Sequence, residues 1–253
     1  MQTASPYALN EIGGRKNNED NIFPPKGKAT AQQRFFVVCD GMGGHENGEV
    51  ASNTVCESFA SFLKDLPPND FNEEVFERAL SFAYNELDKK DNGLSERKMG
   101  TTLTFLYLND KQAFMAHIGD SRIYHLRKNE NGEVGILYKS VDHSLVNELL
   151  LSGIITEEEA AKHPKKNIIT RAMQAYQEKP CKATIHTTQD VKAGDRFFLC
   201  TDGVLESLSD AQLCRIIANN TDDEALLKAI HNRCEGYSRD NFSAYLIPIV
   251  KGC

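Results

Sequence analysis

Residues 34–51 read RFFVVCDGMGGHENGEVA. Phe35 to Cys39 form a continuous apolar run, the pattern of a strand buried on both faces. Such a strand stops where the core stops, so Asp40 is expected at the rim of a sheet. Gly41, Gly43 and Gly44 then let the backbone turn sharply beside a ligand, and the residues after them open a helix. A second stretch echoes the first far downstream: Arg196 to Gly203 reads RFFLCTDG. A third strand, Ala113 to Ile118, runs into Gly119-Asp120-Ser121-Arg122. Asp20 stands just before Ile22 and Phe23, and Asp240 at the entry to a last strand from Phe242 to Val250.

The chain has 253 residues and a formal charge of −7. That length allows one large domain with ample core. The negative charge argues against a nucleic-acid or anionic-membrane surface. The first residues, MQTASPYALNEIGGRK, lack the apolar core of a signal peptide, and no run approaches a bilayer span. Seven cysteines with no CxxC pair speak against a disulfide framework or a zinc site. The expectation is a cytoplasmic protein in a reducing compartment.

Around the aspartates, Val50 to Leu66 places Ala51, Val55, Phe59, Phe62 and Leu63 on one helical face, ended by Pro67-Pro68. Asp70 is expected to cap a second helix through Leu87. Thr101 to Leu108, Ala113 to Ile118, Ile123 to Arg127 and Ile136 to Lys139 predict an antiparallel meander. Asp142 to Met173 holds two short helical runs in polar surroundings, an excursion from the sheet. Cys181 to Val191 resumes strand alternation. Capping boxes at Ser209–Gln212 and Thr221–Glu224 open two late helices. Strands, paired helices and more strands predict an α+β layered fold in one domain, residues 1–253.

If the strand-end acids converge, Asp20, Asp40, Asp120, Asp202 and Asp240 share one rim. Each like-charged pair at ~4 Å costs on the order of 4 kcal/mol at an effective dielectric near 20. Either some protonate or a cation stands between them. Oxygen ligands without cysteine favour Mg²⁺ or Mn²⁺, and more than four acids suit two or more ions. Two ions in turn suit displacement at phosphorus. The alternative is that each aspartate only caps a turn, Asp-Gly being a common turn pair.

Six short motifs occur in one order: Arg15-x-x-Asn18-Glu19-Asp20, Asp40-Gly41-Met42-Gly43-Gly44, Gly100-Thr101-Thr102, Gly119-Asp120-Ser121-Arg122, Thr201-Asp202-Gly203 and Asp240-Asn241. In this order they resemble the metal-dependent serine/threonine protein phosphatases of type 2C, bacterial members especially, from about residue 8 to 250. The resemblance implies a four-layer α-β-β-α sandwich of two antiparallel sheets, with 142–173 as a small helical flap. It implies that Asp40 bridges two metals, that Gly41 offers its carbonyl, and that Asp202 and Asp240 complete the ligands. Glu19 and Asp20 would hold metal-bound waters, unless Asp20 reaches a metal itself. Asp120, sharing Asp202, would hold a third ion.

Arg15 would clamp the substrate phosphate, which suits its forked and permanent charge. A hydroxide bridging the two ions would attack phosphorus in line, with no phosphoenzyme. Met42 stands where many eukaryotic members carry a proton-donating histidine. His45, three residues on, is one candidate donor, directly or through water; the other reading leaves His45 orienting the loop and a metal-bound water supplying the proton. His117 and His125 read as structural, and His143, Lys165 and Arg171 as parts of a solvated flap.

The function expected is therefore hydrolysis of phosphoserine and phosphothreonine, dependent on Mn²⁺ or Mg²⁺, by a monomer. Its partners would be a phosphoprotein, a serine/threonine kinase or that kinase's targets, and neither nucleic acid nor membrane. Three other readings compete. A catalytically silent regulatory domain would be expected to lack a ligand acid, and none is missing. A calcium module would need EF-hand spacing, which is absent. Hydrolysis of small phosphate esters uses the same residues.

Overall fold

The computed structural model describes residues 1–43, 47–91 and 98–253. In chain order the strands are β1 (Gln2–Thr3), β2 (Tyr7–Glu11), β3 (Asp20–Phe23), β4 (Phe35–Met42), β5 (Gly100–Thr101), β6 (Leu103–Leu108) and β7 (Ala113–Ile118). Then follow β8 (Arg122–Lys128), β9 (Val134–Lys139), β10 (Met173–Gln174), β11 (Thr184–Thr188), β12 (Arg196–Cys200) and β13 (Phe242–Lys251). The helices are α1 (Asn47–Leu63), α2 (Glu73–Lys90), α3 (Leu145–Leu151), α4 (Glu157–Lys162), α5 (Asp202–Leu205), α6 (Asp210–Asn219) and α7 (Asp223–Glu235).

Every strand pairing is antiparallel, in two sheets. One sheet runs β1-β13-β12-β8-β9, with β2 also on β13; the other runs β10-β5-β4-β6-β7-β11, with β3 also on β4. Alternation along β4 explains the layering. Phe35, Val37 and Cys39 pack with Val55, Phe59, Phe76 and Leu80 of α1 and α2. Phe36 and Val38 face the other way, onto Phe197, Leu199, Tyr245 and Ile247 of the facing sheet. The outer face of that sheet, with Phe198, Cys200, Ala244 and Leu246, is covered by Leu213 and Ile217 of α6 and Leu226 and Ile230 of α7. A run apolar at every position is thus needed, because both faces of both sheets are buried. The result is the expected α-β-β-α sandwich.

Several local expectations change. β4 does not stop at Cys39: Gly41 and Met42 continue it and pair with Thr101 and Gly100 of β5. The four middle strands are not one meander. β7 pairs with β6 and β11, while β8 pairs with β12 and β9, so Gly119-Asp120-Ser121 carries the chain from one sheet to the other. Asn72, not Asp70, caps α2, its side chain accepting from the Val75 N–H at 3.0 Å. Asp222, not Thr221, caps α7 through the Ala225 N–H at 2.8 Å. In both cases the neighbouring acid or amide reaches the free helix N–H better. The boxes at Ser209 and Thr156 form as expected.

The flap leaves after β9 and rejoins the other sheet through β10, which pairs with β5. Its base is anchored: Arg122 grips Asp142 with two hydrogen bonds of 2.6 and 2.7 Å. His143 is not solvated as expected. It is buried, its Nδ1 accepts from the Gly119 N–H at 3.1 Å, and its ring stacks on His117 at 4.5 Å. Burial and the neighbouring His117 push its pKa down to about 3, so the ring is neutral and serves the fold. Among the described residues, no helix is long and apolar enough to cross a membrane.

Candidate metal centre

The two-residue alternation that sends Phe36 and Val38 between the sheets sends Asp40 there as well, at the end of the gap. Asp20 lies directly opposite Asp40 in the β3–β4 register. Asp120 is on the crossing between sheets. Asp202 and Asp240 come from the facing sheet, after β12 and before β13. The rim is therefore not the edge of one sheet but the mouth between two. The sequence echo also resolves into two geometries, because Asp40 lies within a strand whereas Asp202 opens the short helix α5.

The electrostatics show how close these groups stand. Burial, then the charges of Asp20, Asp202 and Asp120, push the Asp40 carboxyl well above its usual range. Asp20 is raised to about 8 by burial, against the hydrogen bond from Thr201, with Asp202 and Asp240 adding repulsion. Asp120 is raised to about 7 by burial and by Asp202 and Asp142. Asp202 is raised by burial and by Asp240. These are the signatures of anions gathered out of water without enough positive charge.

Two oxygens make the shortage explicit. Oδ1 of Asp120 and Oδ1 of Asp202 are buried and accept no hydrogen bond. Buried carboxylate oxygens normally find donors, so these two fit a cation or its water. Hard oxygen donors fit Mg²⁺ or Mn²⁺. Among the described residues, no three His, Cys, Asp or Glu side chains already enclose a point at ligand distance.

The remaining predicted residues cluster around this mouth. Arg15 is exposed, and its guanidinium donates to Asp240 Oδ2 at 2.5 Å. Gly41 donates its N–H to the Glu19 carbonyl at 3.1 Å and lies against α1, where a Cβ would meet the Gly48 oxygen at 2.1 Å. Only glycine lets the strand approach the helix so closely. Glu19 lies over the N-terminal turn of α1, the end that favours an anion: a Cβ on Gly48 would stand 2.6 Å from Glu19 Oε2. His45 lies outside the described residues, so the question of the proton donor rests on sequence.

Four side chains with no assigned part prove to hold the mouth together. Asn241 is buried; its Nδ2 donates to the carbonyls of Ile12 and Asn17 at 2.7 and 2.8 Å, and its Oδ1 accepts from the Glu19 N–H at 2.8 Å. It thereby fixes the loop carrying Arg15. Thr102 accepts from the Asp40 N–H at 2.9 Å and bonds the Ser121 hydroxyl at 2.8 Å, tying Asp40 to the crossing loop. Thr201 donates to Asp20 Oδ2 at 2.8 Å. All four belong to the short motifs, but a serine, threonine or asparagine beside an acid carries no spacing signal of its own. Gly203 completes the fit: a Cβ there would stand 1.9 Å from the Asn241 oxygen.

Comparison with known proteins agrees with this architecture. A family model described as protein phosphatase 2C matches residues 12–245. The chain is 32% identical over 238 residues to the serine/threonine protein phosphatase PstP of Mycobacterium tuberculosis, covering 93% of this chain but 43% of that protein. It thus spans less than half the length of that relative. It is 33% identical over 216 residues to protein phosphatase PhpP of Streptococcus pneumoniae, covering 84% of this chain and 83% of PhpP. Among solved structures, M. tuberculosis PstP/Ppp superposes with a TM-score of 0.83 at 28% identity, covering 98% of this chain and 99% of the other. The catalytic domain of PstP in complex with two manganese ions superposes with a TM-score of 0.79 at 28% identity, covering 99% and 100%. With the fold, the six ordered motifs and a family match over most of its length, this chain belongs to the protein phosphatase 2C family.

Proposed function

We propose that the protein is a metal-dependent serine/threonine phosphatase. The observation that carries the reading is the pair of buried, partnerless carboxylate oxygens on Asp120 and Asp202 among mutually repelling aspartates. Asp40, the Gly41 carbonyl, Asp202 and Asp240 would hold two Mn²⁺ or Mg²⁺ ions, with Asp120 and Asp202 holding a third. Bound ions of this kind supply a nucleophilic water at neutral pH and draw charge from phosphoryl oxygens.

The chain's own residues do the rest. Arg15 binds two non-bridging oxygens of the phosphate through its planar fork, which orients phosphorus and offsets charge as it builds. Its present bond to Asp240 keeps the guanidinium at the mouth. Glu19 would accept hydrogen bonds from water and orient it, and Asp20 would do the same or reach a metal itself; Asn241 keeps Arg15 and Glu19 in register. The proton for the leaving seryl or threonyl oxygen would come from His45, directly or through water, or from a metal-bound water with His45 orienting the loop. The substrate is a phosphoprotein, a kinase or a kinase's target, within the cytoplasm, and residues 142–173 form the flap of one phosphatase domain.

The test is phosphate release from a phosphothreonine peptide and from p-nitrophenyl phosphate, with Mn²⁺ and with chelator. Peptide hydrolysis that requires Mn²⁺ and ends with chelator is expected. Folded protein that is inactive on both substrates with Mn²⁺ and Mg²⁺ would refute the enzyme. Activity on the small ester alone would reassign it to small phosphate esters.

A further inference from the structure

Thr201 occupies the residue before α5, a position where a threonine hydroxyl ordinarily accepts from a free helix N–H. Here it makes no such bond. Its Oγ1 instead donates to Asp20 Oδ2 at 2.8 Å and accepts from the Ser243 N–H at 3.0 Å. Thr201 and Asp20 are both buried, at 0% and 4% exposure, so water cannot replace this bond. The three residues come from different places. Asp20 belongs to β3, Ser243 to β13 of the facing sheet, and Thr201 to the link between β12 and Asp202. One hydroxyl therefore joins the two sheets at the mouth, its nearest acceptor being Asp20 Oδ2 at 2.8 Å and its farther one the Ser243 carbonyl at 3.5 Å.

The consequence is geometric. Asp20 opposes Asp40 in register, and Thr201 is the residue next to Asp202. The bond between Asp20 and Thr201 thus ties the residue opposite Asp40 on one sheet to the neighbour of Asp202 on the other. A helix cap has been given up for that link, a local loss typical of residues recruited to a site. We infer that Thr201 is a positioning residue that registers the two carboxylate-bearing sheets for metal binding, acting through Asp20. The inference rests on the phosphatase reading. Outer partners of ligands commonly tune metal affinity by about 10–100-fold.

The experiment is Mn²⁺ titration by isothermal calorimetry of wild-type protein, Thr201→Val and Thr201→Ser, repeated in an Asp20→Ala background. Thr201→Val, which removes the hydroxyl at near-constant volume, should weaken Mn²⁺ binding by about 10–100-fold. Thr201→Ser should bind like the wild type. In the Asp20→Ala background, which has no acceptor left at this position, the valine substitution should cost nothing further, as expected of two groups acting as one unit. If the valine variant does not fold, Thr201→Ala carries the same comparison. Equal affinity for the valine and serine variants would overturn the inference, and so would a valine penalty that persists without Asp20. Wild-type protein that binds no Mn²⁺ would instead overturn the phosphatase reading, and this inference with it.

Discussion

β12 carries an aspartate at each end, and the two have opposite fates. Asp195, just before the strand, is fully buried, yet it accepts from His125 Nε2 at 2.8 Å, from Arg127 Nε and Nη2 at 2.7 and 2.8 Å, and from the Lys192 N–H at 2.8 Å. Burial alone would raise its pKa; the hydrogen bonds from Arg127 and His125 outweigh that and hold it below the usual carboxylate range. Asp202, just past the other end, has an oxygen with no donor and neighbours of its own sign. One anion is complete within the protein, and the other is complete only with something added. Gly194-Asp195 and Gly119-Asp120 make the same point, since an identical dipeptide serves the fold in one place and the mouth in the other. The dipeptide does not decide; the donors that the fold brings to it do.

This contrast breaks most visibly in activity. Asp202→Ala should lower phosphopeptide turnover by on the order of 10³-fold, the loss expected when a principal electrostatic element is removed. Its metal-free melting temperature should not fall, because a repelling charge has gone. A lower melting temperature without loss of turnover would place Asp202 among the structural aspartates. Asp195→Ala should do the reverse. Urea unfolding should register a loss of about 3–5 kcal/mol, because Arg127 and His125 lose a buried partner, while turnover of the folded protein is retained.

Arg15 offers an intermediate effect. Arg15 would exchange its bond to Asp240 for two to the phosphate, a net gain of one charge-assisted hydrogen bond worth about 1.5–3 kcal/mol, so Arg15→Ala should lower kcat/KM by about 10–100-fold, read from initial rates on the peptide. Its stability should be unchanged, given its exposed position. The smallest effect concerns acid. Asp195 has a folded pKa below its unfolded value near 3.9, so its contribution is complete above that value and is lost as pH falls through the folded pKa. Melting curves between pH 5 and pH 2 should show Asp195→Asn losing less stability on acidification than the wild type. Parallel curves would contradict the assignment.

Much of this molecule was legible in its sequence, for a definite reason. Phe35 to Cys39 and Phe197 to Cys200 are apolar at every step because two sheets and two helical layers bury both faces, and an acid after such a run can only lie where the core ends. The division of the middle strands between two sheets was not legible. Ala113–Ile118 and Ile123–Arg127 carry the same apolar signal, and Gly119-Asp120-Ser121 can close a hairpin or cross a gap equally well. The cap at Asp222 is hidden in the sequence because Thr221 beside it fits the same template. At the mouth, the aspartates announce themselves by flanking apolar runs. Thr102, Thr201 and Asn241 do not, because a hydroxyl or amide shows its purpose only through partners distant in sequence: Thr201 and Asp20 are 181 residues apart.

If divalent cations complete the end of the sandwich that holds Asp40 and Asp202, Mn²⁺ titration by calorimetry of wild-type protein against Asp40→Asn shows it most directly. At least two ions should bind per wild-type chain, and the single substitution should severely weaken binding. Wild-type protein that takes up no Mn²⁺, or an Asp40→Asn variant that binds with wild-type stoichiometry and affinity, would contradict that role for cations.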